Sequence, residues 1–501
     1  MQQFGINLDS FESVMLSIPI DWNMDPFKRK NWRHKLNSLE WLKGKSNEFV
    51  ENIITNFHDF HISRGIYNQY FNSRAGDHTA CIRLNFLSKL SIDNADNLSS
   101  TCLKQIIDII EHDVKSLMSE NIYRPGHNHG LMADVALLKL DKSIEFRDLI
   151  DSTIVIKRGY NTISKMFHAN GLTTEHSISY QLWNLKFTLD FLQISPPLSL
   201  FESDELKNKM MNLTKKLVGF AHIKDSEIFP FGDSFRHINH YQLKTIFSDG
   251  DSSNLIANCK ELLAPFSSME GTYTNQEFGF IRKNSDRVGI VHLGMTSGCN
   301  SSIHKQDDEL SFCLAIDGRI IIDDAGYSDV ASKENIEFLK SQDAHSGIRL
   351  MDHNWLPPEE CADGSSMIET LPNNSAFSIK GSHSRIQGFI VKRGISISDS
   401  SIKIINSIER VDNCIIGVIR LRFILGEGIV ARIDDKARLI HLLDEQKSTI
   451  ARISYPNEVT RCCTFSDGIR VKFNRTETSV LCGIDIYLED TEKFKVQIHF
   501  D

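Results

Sequence analysis

The stretch Phe494-Lys495-Val496-Gln497-Ile498-His499-Phe500 puts an apolar residue at every second position. That period of two marks a strand with one face buried and the other wet. Further back in the chain the period changes. Ile178, Leu182, Leu185, Leu189 and Leu192 follow at alternating steps of four and three, which draws one stripe along a helix. Leu103, Ile106, Ile107 and Ile110 repeat that helical spacing. Segments of strand character recur in the second half: Phe278–Arg282, Val288–Leu293, Arg319–Ile322, Ile402–Ile408, Ile415–Phe423 and Ile469–Phe473. Gly, Asn, Asp and Ser separate them, as in an antiparallel sandwich. No alternation of this kind stands out before residue 270. The expectation is a helical domain over residues 1–267 followed by an antiparallel β-sandwich over residues 268–501. Segregated helices and strands of this kind make two folding units.

A chain of 501 residues exceeds what one ordinary core supports, which agrees with two domains. With 41% hydrophobic and 24% charged residues and only 11 Pro, the composition is globular and not disordered. A net charge of −9 argues against a nucleic-acid partner, which wants a basic footprint. An anionic ligand remains possible, because a cleft can be locally basic on an acidic protein. No apolar run approaches the ~18 residues of a membrane span. The opening MQQFGINLDSFESVMLSIPIDW has no Lys or Arg before Lys28, and Asp9 and Glu12 interrupt its apolar residues. No signal peptide is legible there, so a cytoplasmic location is expected. The ten cysteines are scattered without a CxxC, and Cys462 and Cys463 are adjacent. They read as reduced thiols, mostly in the core.

Four constellations could carry chemistry. The first is Arg124-Pro125-Gly126-His127-Asn128-His129-Gly130, followed by the apolar run LMADVALLKL. Two histidines and an asparagine at a helix start can present donors to an anion, although a polar capping loop would look the same. The second is Thr174-Glu175-His176-Ser177-Ile178-Ser179-Tyr180, which opens the striped helix. Glu175 and Ser177 suit its cap, and Tyr180 lies about one turn on. The third runs from His304-Lys305-Gln306-Asp307-Asp308 through the turn Asp317-Gly318 to Asp323-Asp324 and Tyr327. It reads as a polar hairpin. His304, Asp324 and His345 could converge on a metal, but their spacing alone does not establish a site. The fourth, Phe231-Gly232-Asp233-Ser234-Phe235-Arg236, is a turn with an apolar anchor.

In this order the segments resemble the heparinase II/III-like family of polysaccharide lyases. The opening Asp21-Trp22, Asp25-Pro26 and Trp32 match as well, and so do Asp77-His78 and Arg83. The likeness covers the chain to about residue 350 and rests on the ordered set rather than on one motif. The resemblance implies an N-terminal incomplete (α/α) toroid, a C-terminal antiparallel β-sandwich, and an active site in the cleft between them. It implies β-elimination on a uronate-containing acidic polysaccharide or oligosaccharide. Asn128 and His129 would neutralise the uronate carboxylate, Tyr180 would act as base, acid or both, and His304 would serve as second base or orienting group. Arg83, Arg124, His127, Glu175 and Arg236 would help to bind substrate. Free tyrosine has a pKa near ~10, so a catalytic tyrosinate needs positive charge close by. The reaction requires no cofactor. Family members often carry His-x-His-x-Asp in the hairpin, the second His binding structural zinc. Gln306 stands there in this chain, while Asp324 and His345 keep the other two ligand positions. A neutral amide is a poor zinc ligand, so zinc becomes a tentative expectation.

Two other readings stay open. A glycoside hydrolase would need two carboxylates across the scissile bond. Glu175, Asp233, Asp307 and Asp308 are available, but no sequence pattern pairs them. A non-catalytic or degenerate glycan-binding protein, tied to synthesis of a bacterial surface polysaccharide, is the other.

Overall fold

The computed structural model describes residues 3–8, 11–63, 76–196, 204–238, 269–299, 301–329, 331–360, 366–370, 377–472 and 477–500. The expected boundary at 267/268 lies outside the described residues. The chain forms two compact units, Met1–Asn170 with Trp183–Asn208, and Gly171–Leu182 with Lys209–Asp501.

The first unit is helical. Lys30–Asn37, Asn47–His58, Asp77–Asp93, Ser100–Met118, Asn128–Asp141 and Ser152–Met166 pack as successive helices. Their starts follow from sequence. Ser46 accepts from Phe49 N, Ser99 from Cys102 N, and Asp151 from Thr153 N and Ile154 N. Each such cap is worth ~1 kcal/mol. Within the expected stripe Leu103–Ile110, Ile106 and Ile110 are buried while Ile107 is exposed. Arg83 was expected among the substrate-binding groups, and the structure corrects this. It is fully buried, with Nε on Asp113 Oδ2 at 2.9 Å and Nη1 on the Asn37 carbonyl at 2.7 Å. It therefore ties its own helix, Asp77–Asp93, to two others inside the core and presents nothing to solvent.

Two short hairpins interrupt the region expected to be wholly helical, Gln3–Ile6 with Val14–Ser17 and His222–Lys224 with Glu227–Ile228. Strands of two to four residues are too short to show a period of two.

The second unit holds two antiparallel sheets. One runs, in spatial order, Val459–Val471, Thr478–Glu489, Val418–Leu425, Arg319–Asp323, Phe312–Ile316, Gly289–Thr296, Phe278–Ser285 and Gly271–Thr274, with Ile348–Leu350 beside Val418–Leu425. The other runs Ser366–Thr370, Phe377–Ile386, Phe389–Ile397, Ser401–Arg410, Lys493–Phe500, Thr449–Ser454, Leu439–Leu443 and Val430–Asp434. Leu293, Phe312 and Phe423 of the first meet Ile395, Ile404 and Ile498 of the second in one core. Phe494, Val496, Ile498 and Phe500 are all buried while Lys493 and Lys495 are exposed, as the alternation requires. This is a sandwich core closed by a period-two pattern. One short helix, Lys333–Lys340, lies within it.

Candidate active site

The second unit brings together residues far apart in sequence. The helix Ile178–Ile194 starts at Ser177, whose hydroxyl accepts from Tyr180 N at 3.3 Å. Ser234 of the Gly-Asp turn holds the same point, accepting from Ile178 N at 2.9 Å and bonding Ser177 Oγ at 3.0 Å. The turn comes so close that a Cβ on Gly232, which has φ +59°, would lie 1.8 Å from the His176 carbonyl oxygen. Only glycine fits there. On the other side, Ser301 N donates to His176 Nε2 at 3.1 Å, and Ser301 Oγ donates to the Thr174 carbonyl at 2.6 Å. His176 is buried, with Nδ1 facing Glu277 Oε1 at 3.3 Å. Burial, with Lys305 nearby, lowers its pKa to about 3, so it is a neutral brace.

These braces set His304 beside Tyr180. Their rings stack with centroids 3.4 Å apart and planes 18° from parallel. His304 Nδ1 donates to Asp233 Oδ2 at 3.0 Å, and Nε2 lies 3.5 Å from Glu175 Oε2. A carboxylate can only accept, so the Asp233 contact places the proton on Nδ1. His304 has φ +57°, a left-handed backbone that costs a non-glycine residue energy and recurs at functional sites. Asp233 itself is buried and accepts from Gln306 Nε2 at 2.8 Å, with Lys340 Nζ at 3.2 Å. Burial alone would raise its pKa. The His304 bond and the Lys340 charge outweigh burial and hold it below the ordinary value, so it stays a carboxylate.

The hairpin beyond His304 is anchored by buried charge. Lys305 pairs with Asp308 and, at 3.1 Å, with Glu309. Arg385 grips Glu309 at 2.9 Å and Asp307 at 2.8 Å. Asp308 Oδ2 in turn accepts from Gly232 N at 3.1 Å. Arg236, expected to meet substrate, instead forks onto Asp323 at 2.9 and 3.2 Å and onto the Asp324 carbonyl at 3.0 Å. Its guanidinium is occupied in holding the hairpin.

Two of the tentative zinc ligands are spent on each other. His345 Nδ1 is bonded to Asp324 Oδ2 at 2.8 Å, and Asp324 Oδ1 accepts from Gly326 N at 2.9 Å. Gln306 donates to Asp233. Among the described residues no group of three or more His, Cys, Asp or Glu could hold a metal ion. With Asp324 and His345 bonded to each other and Gln306 a neutral amide that donates to Asp233, no three-ligand set of the kind a zinc centre takes stands assembled among the described residues.

The first unit carries the other constellation. His127 caps the helix Asn128–Asp141, its Nδ1 accepting from His129 N at 3.1 Å. A Cβ on Gly130 would fall 2.2 Å from the Arg124 carbonyl oxygen, which explains the Gly after the Asn-His pair. His129 Nδ1 bonds Asp77 Oδ1 at 2.8 Å, Arg124 Nε pairs with Asp77 Oδ2 at 3.0 Å, and His78 N donates to Asp77 at 2.6 Å. Burial pushes Asp77 up, but these partners win and keep it ionised. The His127 and His129 rings meet at 4.9 Å and those of His78 and His129 at 5.5 Å. Burial and the neighbouring His129 lower the pKa of His78 to about 4. Asn128 is buried, and its Oδ1 has no hydrogen-bond partner among the described residues. Asp77 anchors His129 as Asp233 anchors His304. Neither orienting role was read from sequence, because partners 52 and 71 residues away leave no local trace.

This architecture, helices followed by paired antiparallel sheets, is the fold of heparinase III. A solved heparinase III matches with a TM-score of 0.70 at 13% identity, over 96% of this chain and 79% of that one. A mutant of the heparan sulfate lyase HepC from Pedobacter heparinus matches with a TM-score of 0.65 at 14% identity, over 100% and 81%. Residues 277–489, within the two-sheet unit, match the family model "Heparinase II/III-like, C-terminal". No curated protein matches.

Proposed function

We propose that the chain is a polysaccharide lyase that cleaves an acidic, uronate-containing glycan by β-elimination. The observation that carries this reading is the Tyr180–His304 stack with Asp233 on Nδ1. Elimination needs a group to take the C5 proton, a group to protonate the leaving O4, and donors that stabilise the enolate-like carboxylate. Tyr180 and His304 supply a hydroxyl and an oriented imidazole for the proton transfers. Asn128 and His129, at a helix N-terminus with Arg124 nearby, supply the chemistry for the carboxylate. The heparinase-like sandwich and fold support the same class.

The carboxylates a hydrolase would need are otherwise engaged. Asp233 holds His304, Asp307 pairs with Arg385, and Asp308 pairs with Lys305. Glu175 is buried beside His304. The experiment is a panel of uronate polymers and capsular glycans followed in the near ultraviolet. Elimination leaves a C4–C5 double bond conjugated to the carboxylate, which absorbs there; hydrolysis leaves none. New reducing ends without that absorbance would overturn the lyase reading.

A further inference from the structure

We infer that Gln306 is a positioning residue for His304, acting through Asp233; this rests on the lyase reading for its catalytic meaning but not for its geometry. Asp233 is where the argument turns. Its Oδ2 takes the His304 Nδ1 proton at 3.0 Å, and its Oδ1 takes a proton from Gln306 Nε2 at 2.8 Å. Gln306 is 2% exposed, so no water competes for that donor. The amide orientation is dictated by chemistry. Turned over, it would set its oxygen against the carboxylate oxygen, so only the nitrogen can face Asp233. Lys340 supports the same carboxylate from the solvent side at 3.2 Å, being 40% exposed.

Gln306 thus immobilises one oxygen of Asp233 so that the other meets Nδ1. That fixes the ring plane against Tyr180 and leaves Nε2 as the nitrogen that can exchange a proton. Without the amide donor, Asp233 can rotate about its carboxyl, and His304 loses both its tautomer and its stacking angle. The backbone is already in a left-handed conformation at His304, so side-chain partners carry more of the burden of orientation.

The test uses the full chain with ¹⁵N-labelled histidine and glutamine. In the wild type, His304 should show a protonated Nδ1, and one Gln306 amide proton should lie downfield and exchange slowly. Gln306→Met keeps the volume and removes the donor. It should mix the His304 tautomers and lower kcat by about 10- to 100-fold with KM little changed, the scale of a misplaced catalytic group. Gln306→His, which restores an N–H, should recover part of the rate and the Nδ1 signature. An unchanged His304 spectrum and rate in Gln306→Met would overturn the inference. So would a fast-exchanging Gln306 amide in the wild type, whether or not the variant folds. The spectra need no substrate. A wild type that makes no unsaturated product would sink the lyase reading alone and leave the positioning result standing.

Discussion

Replacing Tyr180 by Phe removes one oxygen and leaves the ring. The ring is what stacks on His304 at 3.4 Å, and the backbone N–H is what Ser177 caps, so both contacts survive the change. Aromatic pairing of this kind is worth ~0.5–1.5 kcal/mol and is retained. The melting temperature should therefore move little. Turnover should not survive. One positioned acid–base group contributes ~10²–10⁴-fold, which is about 3–5 kcal/mol of transition-state stabilisation. If Tyr180 serves both proton transfers, the loss exceeds that range, because the imidazole alone must then accept and return the proton. The assay is initial rate by near-ultraviolet absorbance on the best uronate polymer, beside a thermal melt of the same preparation. A folded Tyr180→Phe enzyme that forms unsaturated product at near wild-type rate would refute the mechanism.

Asp113→Ala strands the fully buried Arg83 without its carboxylate, and loss of one partner of a buried pair costs ~3–5 kcal/mol, to be read by denaturant titration. The double change Arg83→Met with Asp113→Leu should regain most of that; failure to do so would show that the pair does more than fill a core. Acid should destabilise the second unit through His176. Its pKa falls from 6.5 unfolded to about 3 folded, so the unfolded chain binds the proton that the folded chain refuses. The stability is whole above pH 6.5 and drains as pH falls toward 3, by roughly 2 kcal/mol at pH 5 from this group alone. His176→Asn should flatten that slope in urea melts at pH 7 and pH 5, and an unchanged slope would count against it. Protein purified without chelators should carry less than stoichiometric zinc by elemental analysis, and tightly held equimolar zinc would show that the Asp324–His345 pair opens to admit the metal.

The parts of the fold that were legible in sequence are those with a local period. The strand ending in Phe500 expresses a spacing that burial enforces directly, whereas in the helix opening at Ser177 only Ile178, Leu182 and Leu185 of the stripe are buried and Leu189 and Leu192 are half-buried. The hairpin Gln3–Ile6 with Val14–Ser17 was not legible, since four residues hold too little alternation. At the site, residue types were legible and roles were not. Tyr180, His304 and Asp233 could each be noticed, but the bond from His304 to Asp233 spans 71 residues and belongs to the tertiary fold. Arg83 and Arg236 illustrate the opposite error. A cation in a conspicuous motif looks like a substrate ligand, yet burial beside Asp113 and Asp323 makes each a fastener. Gln306 looked like a lost ligand and proves to be a donor.

The second compact unit includes Gly171–Leu182, a segment far upstream of the sandwich it belongs with. A ribosome making this chain delivers Tyr180 early, and Asp233 and then His304 only later. Until the loop at Ser301 emerges, His176 lacks its backbone donor and the helix start lacks one of its walls. The Tyr180–His304 stack thus forms late in biogenesis, after most of the helical unit has left the tunnel. The same ordering governs dissection. A fragment cut at residue 268 would keep the strands and His304 yet leave behind Tyr180, Glu175 and Asp233, so expressing the sandwich alone would yield an imidazole with no partners around it.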